Sequence, residues 1–210
     1  LPEDTNTLDK NDPLYGDLLV AISIYWRNRG DLERAQKYAD EAVVAISRMY
    51  GENSSRIITA LNTRATILHF RGDNEGSVEL LKRALVTLRA AYGETPNSAR
   101  LEQNTGAILA EMGRVDEAIP YLERAVSIAS KSMSPDAHTL GFFRAQLGWT
   151  LLLKKRYDEA EVLLRLALRT YELGKAKGQP EVRALLACIA LERDHNSTVR
   201  GEIAAVVEEL

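Results

Sequence analysis

Apolar and small residues along this chain recur at helical spacing, and β-branched runs with strict alternation are absent. Ala, Leu, Glu and Arg abound, which favours helix over strand. Asp12-Pro13 supplies an N-cap and a first-turn proline. From there the pattern predicts paired helices over 13–29 and 32–50, 54–71 and 74–92, 96–112 and 115–132, and 136–154 and 157–173. Gly30 and Gly51 stop the first pair, and Tyr50-Gly51-Glu52 recurs as Tyr92-Gly93-Glu94 one period later. The longest break runs from Gly174 to Pro180. A ninth helix is expected over 180–193 and a short partner helix from Thr198 to Glu209. Residues 1–12 are polar and aperiodic, a flexible lead-in.

The pairs repeat one another. Ala35-x6-Ala42 recurs as Ser77-x6-Ala84, Ala118-x6-Ala125 and Ala160-x6-Ala167, at spacings of 42, 41 and 42 residues. A turn signal precedes each copy: Gly30-Asp31, Gly72-Asp73, Gly113-Arg114 and the degenerate Lys155-Arg156. On the first helix of each pair, Ser23, Ala65, Gly106, Gly148 and Ala190 keep the same period. A repeat of this length, with small residues where helices must cross closely, marks stacked helical hairpins. Ile22, Leu61, Leu68, Leu109, Leu147 and Leu151 fill the remaining core. The fold class is therefore all-α. Residues 13–210 are expected to form one solenoid domain, with repeats over 13–53, 54–95, 96–135 and 136–179 and a partial one over 180–210.

These residues resemble tetratricopeptide repeats. The fourth copy carries the motif best, with Leu147-Gly148, Tyr157-Asp158-Glu159-Ala160 and Ala167; the third reads Gly106, Gly113, Val115-Asp116-Glu117-Ala118 and Ala125. The usual repeat has about 34 residues; the longer one here resembles the kinesin-light-chain type, which is also widespread in large bacterial signalling proteins. That resemblance implies a right-handed superhelix, a bacterial source and a concave groove that binds a protein or peptide. In kinesin light chains, paired asparagines of the first helix hold a peptide in that groove. The matching pairs are Val20-Ala21, Asn62-Thr63, Gln103-Asn104, Ala145-Gln146 and Ala187-Cys188, so only Asn62 and Asn104 keep asparagine.

The partner-binding set expected on the groove is Asn62, Thr66, His69, Phe70, Gln103, Asn104, Gln146, Trp149, Leu152 and Leu153. Trp149, Leu152 and Leu153 would make an apolar contact patch. The amides could pair with a ligand backbone as donor and acceptor at once. Two positions stay open: Trp149 could instead pack into the core, and Phe70 ends its helix with either role available.

A formal net charge of -3 and a sequence pI near 5.7 give no basic footprint for nucleic acid. No apolar run is long enough to span a bilayer, so no membrane insertion is expected. Charges such as Glu33-Arg34, Lys37, Asp40-Glu41 and Glu79 with Lys82-Arg83 are expected on a solvated face with marginal ion pairs. Met49, Met112 and Met133 are expected to fill core gaps, and lone Cys188, among Leu185, Leu186 and Ile189, to be a buried thiol. His69, His138 and His195 show no metal-ligand spacing, Gly174-Lys175-Ala176-Lys177-Gly178 is no phosphate loop, and no nucleophile elbow occurs. No enzyme activity, cofactor or metal is expected. The reading is a protein-interaction scaffold. Its alternatives are a docking or sensor arm of a larger kinase, cyclase or protease, and a self-association module forming a homo-oligomer. Leu1 is not a start methionine, so a processed or excised chain is expected; with one cysteine, a cytoplasmic setting is compatible.

Overall fold

The computed structural model describes residues 9–174 and 179–193. The expected Thr198–Glu209 helix, most of the lead-in, His195 and the centre of the Gly174–Pro180 break lie outside the described residues. Nine helices occur among the described residues: α1 Tyr15–Asn28, α2 Leu32–Tyr50, α3 Ile57–Phe70, α4 Asn74–Tyr92, α5 Pro96–Glu111, α6 Val115–Ser132, α7 His138–Leu153, α8 Tyr157–Leu173 and α9 Pro180–Arg193. Five of them start and end at the expected residues. Helix α3 begins later than the pattern suggested because Ser54-Ser55-Arg56 closes a turn, with Ser54 Oγ accepting from Arg56 N at 3.3 Å. Serine offers its backbone this alternative to helix.

Contacts gather these helices into two compact units, one ending at Glu94 and one beginning at Thr95. In the first unit α1 pairs with α2, α3 with α4, and α2 packs on α3. Leu19, Ile22, Ile57, Leu61, Ile67 and Leu81 are wholly buried there. In the second unit α5 pairs with α6 and α7 with α8, α6 packs on α7, and α9 closes on α8. Its core holds Leu122, Leu147, Leu151, Leu164 and Ile189, beside a second cluster of Ala125, Ile128, Ala129, Leu140 and Phe143. Each fully buried aliphatic side chain contributes about 1.5–3 kcal/mol.

The helix starts use two devices. Asp31 and Asp73 cap α2 and α4, accepting from Arg34 N and Gly76 N at 2.9 Å each. Thr95 and Ser98 form a reciprocal capping box before α5, with Pro96 in the first turn. At α6 and α8 the cap residue is Arg, whose guanidinium instead clamps a first-turn carboxylate: Arg114 holds Glu117 and Arg156 holds Glu159, both at 2.7 Å. The Arg156–Glu159 hydrogen bonds raise the arginine pKa and lower that of the glutamate.

The hairpin crossings explain the repeated small residues. In the first hairpin Ser23 on α1 donates to the Ala35 carbonyl on α2 at 2.8 Å. The second reverses the arrangement, Ser77 on α4 donating to Ala65 on α3 at 2.7 Å. In the third and fourth, glycine takes the α5 and α7 positions. A methyl group on Gly106 would stand 2.6 Å from Leu122 Cγ, and on Gly148 2.9 Å from Leu164 Cγ. Gly106→Ala therefore gains about 1 kcal/mol of helix propensity but overpacks a core leucine at a cost of about 1–3 kcal/mol. A net loss of about 1 kcal/mol is expected from these opposing terms, measured by denaturant unfolding.

The fourth turn differs from the other three. Gly30, Gly72 and Gly113 turn at φ +80°, +87° and +76°, whereas Lys155 takes φ 57° at the matching place. A side chain in this region costs about 1–2 kcal/mol, partly offset by the unfolded-state entropy that glycine would add. Lys155→Gly is expected to stabilise the second unit by about 0.5–1 kcal/mol, seen as a higher denaturant midpoint.

Asp40 pairs with Arg64 on α3 at 2.6 Å while both side chains keep a third or more of their surface exposed, in line with a solvated face carrying ion pairs. One core expectation changes. Met49 is 37% exposed, so it fills no core gap, whereas Met133 does pack against the Ala125–Phe143 cluster.

Candidate peptide-binding face

The expected site residues fall in both units. Asn62, Thr66, His69 and Phe70 lie on α3 of the first, and the other six lie on α5 and α7 of the second.

On α3, Asn62 and Thr66 are partly buried, and the Thr66 hydroxyl returns to the Asn62 carbonyl at 2.9 Å. His69 Nδ1 lies 2.8 Å from Asn74 Oδ1, which fixes the ring near the hairpin turn. Phe70 sits beside it, ring centroids 5.8 Å apart, and is 59% exposed. Phe70 is thus a surface aromatic.

On α7 the buried side consists of Leu140, Gly141, Phe143, Leu147, Gly148, Thr150 and Leu151. The opposite side carries Phe142, Gln146, Trp149 and Leu153, at i, i+4, i+7 and i+11, which one helical stripe collects. Phe142 and Leu153 are 43% and 45% exposed, while Gln146 and Trp149 are partly buried. Thr150 bonds back to the Gln146 carbonyl at 2.8 Å, leaving the Gln146 side chain outside that contact. Phe142 was not in the expected set. It stands one turn before Gln146, so continuing the Trp149 stripe toward the helix start would have found it.

Leu152 belongs elsewhere. It packs against the core cluster of Leu147, Leu151, Leu164 and Ile189, one residue round the helix from the exposed Leu153. On α5, Gln103 is only 6% exposed and sits on the buried side with Leu101, Glu102 and Thr105. Asn104 is partly buried and, like Asn62, is engaged in an interaction of its own. The α5 positions matching the α7 stripe are Arg100, Asn104, Ala107 and Glu111. Those on α9 are Ala184, Cys188 and Leu191.

Cys188 is exposed, contrary to the buried thiol its neighbours suggested. Val182 and Ile189 take the buried face of α9, with Leu185 and Leu186 packed beside them, and Cys188 projects from the other side. Arg144, next to the stripe, turns toward α8 and donates to Thr170 Oγ1 at 2.6 Å; burial pushes its pKa down. Among the described residues no group of His, Cys, Asp and Glu could hold a metal ion, and no helix is long and apolar enough to cross a membrane.

Family models described as tetratricopeptide repeat match residues 57–98 and 96–172, together more than half of the chain. The chain belongs to the tetratricopeptide-repeat family. This tetratricopeptide-repeat chain is 26% identical over 132 residues to the clustered mitochondria protein homolog of Debaryomyces hansenii, a match covering 62% of the chain and 10% of that relative. The matched part thus spans about a tenth of the relative's length. Among solved structures it resembles the TPR-like repeats described as a Podosopora anserina kinesin light chain, with TM-score 0.77 at 14% identity over 95% of this chain and 96% of that one. BtubC (BKLC) from P. vanneervenii gives TM-score 0.73 at 20% identity, covering 81% and 68%. YrrB, a TPR protein with an unusual peptide-binding site, gives 0.62 at 18% identity, covering 90% and 82%. At these identities the likeness to the solved structures is one of fold. The repeat family is generally non-catalytic, and the helical-repeat fold is like that of the kinesin-light-chain TPR-like repeats.

Proposed function

We propose that the chain is a protein-interaction scaffold whose exposed α7 face binds a peptide or a partner segment. The observation that carries this reading is the stripe of Phe142, Trp149 and Leu153, with Gln146 among them, on the side of α7 opposite its buried core. A row of aromatic and aliphatic side chains that is exposed at Phe142 and Leu153 and partly buried at Trp149 marks a contact surface. Large aromatics in such a row make effective anchors, because few rotatable bonds are frozen when they are covered. Gln146 could meet a ligand backbone with both donor and acceptor. The peptide-binding site that YrrB is described as having supports the same mode on this fold.

Asn104, Ala107 and Glu111 on α5 would border the face on one side, and Ala184, Cys188 and Leu191 on α9 on the other. Phe70 with Thr66 and Asn62 gives the first unit a smaller face of the same kind. Gln103 and Leu152 serve the core and support the face from behind. The test is selection of peptides from a random library on the chain, followed by calorimetry of the tightest binder. Phe142→Ala should weaken that binder about tenfold, in keeping with an anchor worth more than 1 kcal/mol. Unchanged affinity in Phe142→Ala and Trp149→Ala together would remove the assignment.

A further inference from the structure

The four hairpin turns serve as controls for one another, and the first departs from the rest. Trp26 stands where the others have Leu68, Leu109 and Leu151. Arg34 replaces Gly76, Glu117 and Glu159, and Lys37 replaces Glu79, Pro120 and Val162. Arg27, Arg29, Arg34 and Lys37 surround this turn against Asp31 and Glu33. The second turn has Arg71 against Asp73, Glu75 and Glu79, and the third has Arg114 against Glu111, Asp116 and Glu117. The fourth balances Lys154, Lys155 and Arg156 against Asp158, Glu159 and Glu161, so the first of the four turns alone carries a surplus of positive charge.

The structure brings those substitutions together. Trp26 leans on Ala35, Ala39 and Ile67, which fixes the indole. The Arg34 guanidinium stacks over it at 4.2 Å from the ring centroid, and Lys37 Nζ lies 5.7 Å from the Tyr38 ring. Arg29 stacks on Tyr25 at 4.9 Å, and Tyr25 meets Trp26 edge-on at 5.2 Å. Between them lies a cleft of ≈ 280 Å³ lined by Trp26, Arg34, Lys37 and Tyr38. Arg34 is 3.2 Å from Asp31 and more than half exposed. Among the described residues Lys37 makes no ion pair. Part of the indole fills the space left by Ala39, where the other hairpins carry Leu81, Leu122 and Leu164, and the rest of it lines the cleft.

We propose that this cleft binds an acidic peptide segment. Aspartate or glutamate carboxylates would sit between Arg34 and Lys37, and their aliphatic carbons would lie on Trp26 and Tyr38. Stacked guanidinium groups keep their edges free for carboxylate oxygens. The aromatic half of the lining favours a side chain with carbon to bury over a bare phosphate. The acidic net charge of the whole chain disfavours a polyanion as long as a nucleic acid. The cleft lies at a hairpin turn in the first unit, so it stands or falls independently of the α7 face.

The two tryptophans, Trp26 and Trp149, give two indole N–H resonances to follow on adding hexaglutamate. The Trp26 resonance should shift saturably while that of Trp149 stays, with the apparent affinity falling as salt rises. The double variant R34E/K37E should bind at least tenfold more weakly. It places at each position a residue that another repeat carries there, so the fold is expected to be kept, which an unchanged denaturant midpoint and a dispersed Trp26 resonance in the free variant verify. Trp26→Leu should weaken binding through loss of the aromatic wall. No saturable shift at Trp26, a shift at both indoles, undiminished affinity in R34E/K37E, or inorganic phosphate binding as tightly as hexaglutamate would each overturn the proposal.

Discussion

Trp149→Ala is expected to weaken a peptide bound to the α7 face about 30-fold while leaving the fold intact. A well-placed interface tryptophan contributes about 2 kcal/mol or more on truncation, and each 1.4 kcal/mol is about a factor of ten. Trp149 is only partly buried, and the core of its hairpin is carried by Leu147, Leu151 and Leu164. Losing the ring should therefore cost binding far more than stability. Calorimetry with a library-selected peptide measures the first effect and denaturant unfolding the second. A variant that unfolds at much lower denaturant would place Trp149 in the core instead. Leu153→Ala, one turn on and 45% exposed, should show a smaller loss in the same direction.

The largest stability effect is expected at Arg124. Glu102 on α5 is wholly buried, and Arg124 on α6 reaches both of its carboxylate oxygens at 3.3 Å. The Arg124 guanidinium also stacks on Tyr121 at 4.7 Å and keeps 39% of its side chain exposed. Arg124→Leu removes the opposite charge and leaves the buried carboxylate behind, at a cost of about 3 kcal/mol. Glu102→Leu should behave differently. Leu19 and Leu61 occupy the matching positions on α1 and α3 and are wholly buried. A leucine there exchanges an ion pair that is costly to desolvate for apolar packing, so Glu102→Leu is expected to be neutral or stabilising. Adding it to Arg124→Leu should recover most of the loss. Denaturant unfolding of the two single variants and the double variant closes this cycle. Equal losses from both single substitutions would mean that the pair itself stabilises the unit.

Most of the fold was legible because each repeat checks the next. Ala118, Gly106 and Gly148 recur at fixed positions, and the same spacing placed α2, α4, α6, α8 and α9 at their observed ends. What periodicity does not show is the side of a helix that a boundary residue takes. Cys188 and Leu152 have apolar neighbours on both sides in the chain, yet one is exposed and the other packs on the core. A shift of one residue turns a helical side chain by ~100°, and small drifts decide between solvent and core. Gln103 was drawn toward the binding set by the asparagine pairs of the family, but its position belongs to the buried side of α5. Phe142 was overlooked for the converse reason: it precedes the asparagine positions, where the family pattern directs no attention. Trp26 lay in a core position of the repeat, and only the placement of Arg34, Lys37 and Tyr38 around it shows a cleft.

The most direct measurement of the central claim is the indole spectrum of the unmodified chain titrated with a peptide selected from an unbiased library. If the α7 face is the binding surface, the Trp149 resonance moves saturably, with the affinity that calorimetry gives for the same peptide. A peptide that binds with full heat and defined stoichiometry while Trp149 stays unmoved would contradict it.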